Sequence, residues 1–315
     1  MDKIIDRYTS NVSKGSLPTL KINKILWATD GSQISQDALN WAKLFAKTFG
    51  ADIVGIHVLK PIDKKIYEIA GRKLDMKGLM ERESGNWSNQ FDEISRVLKK
   101  EKLRFKHSVM ENHKPYEKII QAADQEDASL IVMGKRGLSL KDKTSVGSNT
   151  LKVIQGSRVP VLAVRGKKTK TLPRIKKMLV PLDISEKSSS ALDYALSLGE
   201  QLGAAITVTY VEQLFSYPYE FPITILNEMR EMYDNQLKKR VEEVSGGFEN
   251  KLRIKHKVVE AVTPSLGIIR FAERERSDLI IMNTHGRKGL KKLFLGSVAE
   301  KIIYEAPCSI LALRP

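Results

Sequence analysis

The apolar residues of the chain form short continuous runs separated by longer stretches with helical periodicity. Residues 130–133 and 279–282 are uninterrupted apolar runs, as expected for strands buried on both faces of a parallel sheet. Between Ala191 and Leu202 the apolar positions instead recur at helical spacing, and Gly203 follows as a stop signal. Strands that alternate with helices in this way predict an α/β fold built on doubly wound parallel sheets.

The same order of elements occurs twice. Residues 24–32 align with residues 177–185, and further along Pro115 aligns with Pro264, each proline being expected near the start of a helix. A change in the offset indicates a short insertion in the first copy, between about residues 60 and 100. A repeat of this length is too long for a solenoid, and it therefore indicates a duplicated domain.

The repeat divides the chain into segments. A length of 315 residues is sufficient for two hydrophobic cores. Each copy is expected to be an open, five-stranded parallel sheet flanked by helices, and the first residues, which lack periodicity, are expected to be a loosely ordered tail. The predicted segments are an N-terminal tail (1–20), a first domain (21–166), a basic linker (167–175) and a second domain (176–315).

Composition narrows the partners and the compartment. The chain carries 53 Lys and Arg against 37 Asp and Glu, a net charge of +16. This charge favours anionic partners such as nucleotides or nucleic acid, although a basic solvated surface would explain it equally well. Cys308 is the single cysteine, which excludes an intrachain disulfide and fits a reducing cytoplasm. Without a long apolar run or a signal-peptide core, we expect a cytoplasmic protein that does not insert into a membrane.

The strongest local pattern follows the fourth strand of the first copy. It consists of Gly134, two basic residues and Gly137, then nine residues, then Gly147 and Ser148 at the start of a helix. Glycines let the backbone approach a ligand closely, and the N–H groups at a helix start attract phosphate. The alternative explanation is that these glycines only allow ordinary turns between a strand and a helix.

Other nucleotide and catalytic motifs are absent from the sequence. No Gly-x-Gly occurs, which excludes the usual dinucleotide fingerprint, and no Gly-Lys-Ser or Gly-Lys-Thr closes a P-loop. The histidines do not show the spacing of a metal site. We therefore predict neither catalytic residues nor a bound metal among the side chains.

Gly134, Gly137, Gly147 and Ser148 resemble the nucleotide-binding signature of the universal stress protein family. That signature is Gly-x-x-Gly, nine residues, then Gly-Ser or Gly-Thr. The second copy resembles the family closely over residues 282–290, 295–300 and 306–308. The resemblance spans both predicted domains. It implies an adenine-nucleotide alpha-hydrolase-like fold and a pairing of the two domains through their closing strands, and it leaves a further homodimer open.

The resemblance also implies which residues hold the nucleotide. An aspartate after the first strand is expected to contact the ribose, a valine in the second strand to pack near adenine, and the glycine loop to hold the phosphates. The alternatives are helix capping for the aspartates and plain core packing for the valines. The expected residues are Asp30, Val58, Met133, Gly134, Lys135, Arg136, Gly137, Gly147 and Ser148 in the first copy and Asp183, Val211, Gly286, Gly296 and Ser297 in the second.

One residue departs from the family pattern. Asn283 stands where the first glycine is expected, and its side chain is expected to intrude on the phosphates, although asparagine tolerates left-handed backbone geometry. The first copy is therefore predicted to be the better ATP site. The predicted function is that of an ATP-binding stress-response or regulatory protein, with accompanying Mg²⁺ left open. Slow ATP hydrolysis or phosphotransfer and nucleic-acid binding remain the alternatives.

Overall fold

The computed structural model describes residues 9–10, 19–61, 75–136, 146–166, 171–184, 190–214, 222–246, 252–284 and 295–314.

The first part of the chain contains seven strands and four helices within the described residues. They are β1 (Thr9–Ser10), β2 (Thr19–Leu20), β3 (Lys24–Thr29), α1 (Gln33–Phe49), β4 (Asp52–Leu59), α2 (Met76–Lys100), β5 (Phe105–Glu111), α3 (Pro115–Gln125), β6 (Leu130–Gly134), α4 (Ser148–Gly156) and β7 (Val161–Val164).

The second part repeats the pattern from the third strand onward. Its described elements are β8 (Lys177–Pro181), α5 (Ser190–Leu202), β9 (Ala205–Gln213), α6 (Ile223–Ser245), β10 (Ile254–Ala261), α7 (Pro264–Arg274), β11 (Leu279–Asn283), α8 (Ser297–Glu305) and β12 (Ser309–Leu313).

Each copy forms a five-stranded parallel sheet, with β3 at the centre of the first and β8 at the centre of the second. The order is β5-β4-β3-β6-β7 in the first copy and β10-β9-β8-β11-β12 in the second. The chain thus winds outward from β3 and β8 in both directions, which is the doubly wound arrangement. The prediction of an α/β fold with mostly parallel, helix-flanked sheets is confirmed.

The two faces of the sheet carry separate hydrophobic cores because side chains alternate along each strand. In β3, Ile25 and Trp27 belong to the core under α1 and α2, and Leu26 and Ala28 belong to the core under α3 and α4. Both cores include residues of both copies. The continuous apolar runs of the sequence therefore correspond to strands buried on both sides.

Local signals account for several helix ends. The Ser32 side chain caps α1 by accepting a hydrogen bond from the Ser35 N–H at 3.2 Å, and Gly50 ends α1 in left-handed geometry with φ +69°. Pro115 and Pro264 occupy the first turn of α3 and α7, where a proline has no intrahelical hydrogen bond to lose. The predicted placement of these two prolines is confirmed.

The two sheets are adjacent through β7 and β12, which pair antiparallel. Leu162 faces Leu311 in this register, and these two leucines occupy equivalent positions of the two copies. A pseudo-twofold axis therefore passes between them. The result is one continuous sheet of ten strands.

The ends of the predicted tail and linker are packed. Leu20 in β2 and Ile22 after it are buried, and β2 lies against α5 of the second copy. Ile175, near the end of the predicted linker, is buried as well. The expectation of a loosely ordered tail is thus wrong for its last residues, because Leu20 finds an apolar surface on the other domain. Residues 1–8, 11–18 and 167–170 lie outside the described residues.

We expect the joint between β7 and β12 to carry a large share of the stability. Leu311→Asp would place a carboxylate between two strands that are fully buried, and it should lower the free energy of unfolding by on the order of 3 kcal/mol. The measurement is urea denaturation together with small-angle scattering, which should show a larger radius of gyration.

Val97→Asp is the matched control, since Val97 is 54% exposed on α2. Its effect should stay within about 0.5 kcal/mol. Scattering from the unaltered chain that fits two separated bodies would contradict the expected role of the joint.

Candidate functional site

The candidate residues gather at the carboxyl ends of the central strands. α1 follows β3 over one face of the sheet, whereas α4 follows β6 over the other, so a crevice opens between the two strand ends. The register pairs Ala28 with Met133, so Asp30 and Lys135 each follow the last position at which these two strands pair by two residues. The pair β8 and β11 forms the equivalent crevice in the second copy.

The start of α4 is held against the end of β6. Gly147 is the N-cap of α4, with φ −63° and ψ 136° and without a side-chain cap hydrogen bond. Its N–H donates to the Lys135 carbonyl at 2.9 Å, and the Thr150 hydroxyl donates to the Gly134 carbonyl at 2.9 Å. The first turn of α4, beginning at Ser148, thus presents backbone N–H groups beside the crevice, which is a favourable place for phosphate oxygens.

The second copy reproduces this backbone arrangement. Gly296 is the N-cap of α8, with φ −63° and ψ 141°, and its N–H donates to the Thr284 carbonyl at 3.0 Å. Ser297 opens α8 as Ser148 opens α4. Gly137 and Gly286, the remaining predicted loop glycines, lie outside the described residues.

Gly134 is closely surrounded by neighbouring atoms. A Cβ on this residue would lie 3.0 Å from the Ile34 Cγ2 atom, 3.0 Å from the Arg136 carbonyl oxygen and 3.3 Å from the Ser35 nitrogen at the start of α1. Its backbone is not left-handed, and neither is that of Asn283. The tolerance of asparagine for left-handed geometry is therefore irrelevant at this position.

Asn283 directs its side chain to α5. Its Oδ1 atom accepts a hydrogen bond from the Ser190 hydroxyl at 2.7 Å, at the first residue of that helix. Met282 packs with α8 on the opposite face, since side chains alternate along the strand. The expected intrusion of Asn283 on the phosphate side is therefore not supported by its placement.

Asp30 forms a short turn after β3. Its Oδ1 atom accepts a hydrogen bond from the Ser32 N–H at 3.0 Å, while Ser32 itself caps α1. The cap of α1 is thus the serine, and the aspartate that follows β3 is half-buried. Asp183 is likewise half-buried after β8, and the five residues after Ile184 lie outside the description.

An aromatic pair that no sequence pattern predicted packs against the turn at Asp30. The rings of His57 and Trp87 stack with centroids 3.6 Å apart and an angle of 12° between their planes. A Cβ on Gly31, which has φ +81°, would lie 3.0 Å from Trp87. The His57 Nδ1 atom lies 2.8 Å from the Thr29 carbonyl oxygen and donates to it. Burial lowers the pKa of His57, against the opposing effects of the Thr29 hydrogen bond and the Asp30 charge.

The two predicted adenine-side valines differ in exposure. Val58 at the end of β4 is half-buried. Val211 is 7% exposed, and a Cβ on Gly267 of α7 would lie only 2.8 Å from its Cγ1 atom. Lys118 of α3 takes the place of Gly267 in the first copy. α7 thus covers Val211 closely, and core packing describes Val211 better than it describes Val58.

Lys135 is directed to the other copy. It is 4% exposed, and its Nζ atom donates to the Ala306 carbonyl at 3.3 Å. Burial, and then the neighbouring charges of Arg165 and Arg136, lower the pKa of Lys135 to about 8. Of the two basic residues predicted in the loop, Arg136 is half-exposed, whereas the Lys135 ammonium is hydrogen-bonded to the second copy.

Comparisons with known proteins agree with the fold and the duplication. The profile of the Universal stress protein family matches residues 21–165 and 174–314. A universal stress protein of Mycolicibacterium smegmatis is 24% identical over 298 residues, 92% of this chain and 97% of that protein. One from Methanocaldococcus jannaschii is 30% identical over 142 residues, 44% of this chain and 82% of that protein.

A solved structure has the same fold over nearly the whole chain. The crystal structure of a universal stress protein from Archaeoglobus fulgidus superimposes with a TM-score of 0.66 and 20% identity, covering 94% of this chain and 99% of that one. No helix in the described part of the present chain combines the length and the apolar character needed to cross a membrane.

Exchanging the residues at the ends of β6 and β11 tests the spatial role of Gly134. Gly134→Asn would push a side chain against Ile34 and the start of α1, and we expect it to lower the free energy of unfolding by about 1–3 kcal/mol. Asn283→Gly, the matched control, removes one hydrogen bond to Ser190 and should cost about 1 kcal/mol. Chemical denaturation measures both, and a neutral Gly134→Asn would contradict the argument.

The lowered pKa of Lys135 predicts a pH dependence of stability. An unfolded chain keeps the lysine proton up to about pH 10.5, whereas the folded chain releases it near pH 8. The unfolded state thus binds more protons between these values, so the free energy of unfolding should rise with pH in that window.

Lys135→Met lacks this titration and serves as the reference. Denaturant unfolding at pH 7.5, 9 and 10 should show the difference in stability moving in favour of the lysine by up to about 1.4 kcal/mol per pH unit. A difference that is constant across this range would contradict the assignment.

Proposed function

The chain belongs to the universal stress protein family, and on that premise we propose that it binds adenine nucleotides, ATP foremost, in the two crevices at the ends of its central strands. In the first crevice the triphosphate lies at the start of α4, and Asp30 contacts the ribose. In the second it lies at the start of α8, opposite Asp183. The proposed role is that of a cytoplasmic stress-response protein whose partners depend on nucleotide occupancy.

One observation carries the proposal. The N–H of Gly147 bonds to the Lys135 carbonyl at 2.9 Å, and the N–H of Gly296 bonds to the Thr284 carbonyl at 3.0 Å, so two helix starts have the same position relative to their sheets. Neither N-cap residue has a side chain that competes for the first N–H groups of its helix. Retention of this backbone in both copies, despite different neighbouring side chains, supports a ligand of the same kind in each crevice.

We further propose that the first crevice binds more tightly. Val58 is half-buried and accessible to an adenine ring, whereas α7 closes over Val211. Arg136 is half-exposed beside the phosphate end and can neutralise the charge of a phosphate group. The adenine side and Arg136 therefore favour the first crevice, whereas Asn283 does not disfavour the second, since it points to α5.

Pairing of the copies within one chain is part of the proposal. Helices α4 and α8 both reach the joint between β7 and β12, through contacts to Gly156 and Ala306. We propose that this intramolecular pairing persists in solution and satisfies the sheet edge that a single copy would expose.

Calorimetric titration with ATP tests the binding proposal on two variants. Gly147→Val and Gly296→Val each place a branched side chain at the start of the helix, where phosphate would approach. Each should weaken its own site by about ten- to a hundredfold, on the order of 1–3 kcal/mol. The larger loss of total binding at low ATP concentration is expected for Gly147→Val.

Gly85→Val is the matched control, because a Cβ on Gly85 of α2 has nothing within 4 Å. It should bind ATP like the unaltered chain. Titrations with GTP report the base preference. An unaltered, folded protein that neither binds added ATP nor releases nucleotide on denaturation would refute the proposed function.

A further inference from the structure

The backbone of Lys135 forms hydrogen bonds to two elements beside the first crevice. Its N–H donates to the Val164 carbonyl at 2.8 Å, and its carbonyl accepts from the Gly147 N–H at 2.9 Å. One residue thus links the end of β7, the end of β6 and the start of α4. A displacement of the helix start is transmitted directly to the Lys135 backbone.

The Lys135 side chain extends from there to the second copy. Its Nζ atom donates to the Ala306 carbonyl at 3.3 Å, and an Arg165 guanidinium nitrogen donates to the same oxygen at 3.3 Å. Ala306 is the residue that follows the last turn of α8, where the helix dipole concentrates partial negative charge. A buried ammonium with a specific acceptor has little freedom to move, so Lys135 holds the end of α8 in place.

α8 connects this contact to the second crevice. The helix begins after Gly296, whose N–H bonds to the Thr284 carbonyl, and it ends at Glu305, one residue before Ala306. It buries Ala299, Ile302 and Ile303 and is about 13 Å long. A short helix with a packed face moves as one body, so a shift at its end reaches its start.

The contact is one-sided. Thr284 occupies the place of Lys135 in the second copy, with the same backbone hydrogen bonds, to Leu313 at 2.8 Å and from Gly296 at 3.0 Å. A threonine side chain has no ammonium and is too short to span the joint. The arginine contact, by contrast, has its counterpart in Arg314, which donates to the Gly156 carbonyl at 3.4 Å. The chain therefore retains the arginines in both copies and the lysine in one.

We propose that Lys135 is a positioning residue that couples the two nucleotide sites through α8, so that an adenine nucleotide bound in one crevice changes the affinity of the other. The inference rests on the proposed function, because it requires both crevices to bind nucleotide. Phosphate bound at the start of α4 shifts Gly147 against the Lys135 carbonyl, and the side chain passes this shift to Ala306 and α8. Thermodynamic linkage makes the effect reciprocal, although the contact exists on one side.

Lys135→Thr is the variant that tests the coupling, since the second copy already accommodates threonine in the same backbone setting. ATP titrations of the unaltered chain should give two affinities, at least one of which differs about fivefold or more from that of the isolated site. Gly147→Val and Gly296→Val provide the isolated sites. In Lys135→Thr both sites should still bind, and the coupling factor should fall to about 1.

Lys176→Thr is the matched control, since Lys176 is an exposed lysine whose described hydrogen bonds, to Asp278 and from Ala205, are made by its backbone. It should leave the coupling factor unchanged. Hydrogen exchange gives a second readout: ATP added to Gly296→Val should alter the exchange of α8 amides when Lys135 is present and not when it is replaced. A purely structural role for Lys135 would change stability without changing this response.

The outcomes separate the two proposals. ATP binding at neither site refutes the proposed function and the inference with it. Binding at only one site, independent sites in the unaltered chain, or coupling that survives Lys135→Thr overturns the inference and leaves nucleotide binding in place. If Lys135→Thr does not fold, Lys135→Met makes the same test, because it keeps the length of the side chain and removes the ammonium.

Discussion

The antiparallel pairing of β7 with β12 is the contact on which the arrangement of both crevices depends. Because its register places Leu162 opposite Leu311, equivalent residues of the two copies meet at the axis. The residue that follows each strand then contacts the other copy. Arg165 donates to the Ala306 carbonyl, and Arg314 donates to the Gly156 carbonyl at the end of α4. A ladder shifted by one residue would turn the buried side chains to the wrong faces and remove both arginine contacts.

The joint also determines what α4 and α8 can do. Each helix has its start at a candidate phosphate site and its end at the boundary between the copies. Helix ends favour opposite charges, so anions at the starts and cations at the ends stabilise the same helix. In each copy the candidate phosphate site and the contact with the other copy therefore lie at opposite ends of one helix.

The sequence was sufficient for the fold and for part of the site. Repetition and apolar runs predicted the strands and the start of α4, because these depend on local periodicity and on glycine or proline at particular positions. The direction of Lys135 was not predictable, since its acceptor lies 171 residues further along the chain. The stacking of Trp87 on His57 depends on the packing of a long helix over β4. The crowding of Gly134 by Ile34 was not predictable either, because it depends on a contact between residues 100 positions apart.

Comparison of the copies separates what the backbone requires from what each site has acquired. The hydrogen bonds of Gly147 and Gly296 differ in length by a tenth of an ångström. The residues around them differ, since Lys135 aligns with Thr284 and Gly134 aligns with Asn283. A backbone that remains constant while the side chains around it change is constrained by something other than those side chains. What the two copies have in common is a glycine N-cap at each of these helix starts. The neighbouring side chains differ between the copies: Val58 is half-buried whereas Val211 is 7% exposed, and Lys135 of the first copy donates to Ala306 of the second.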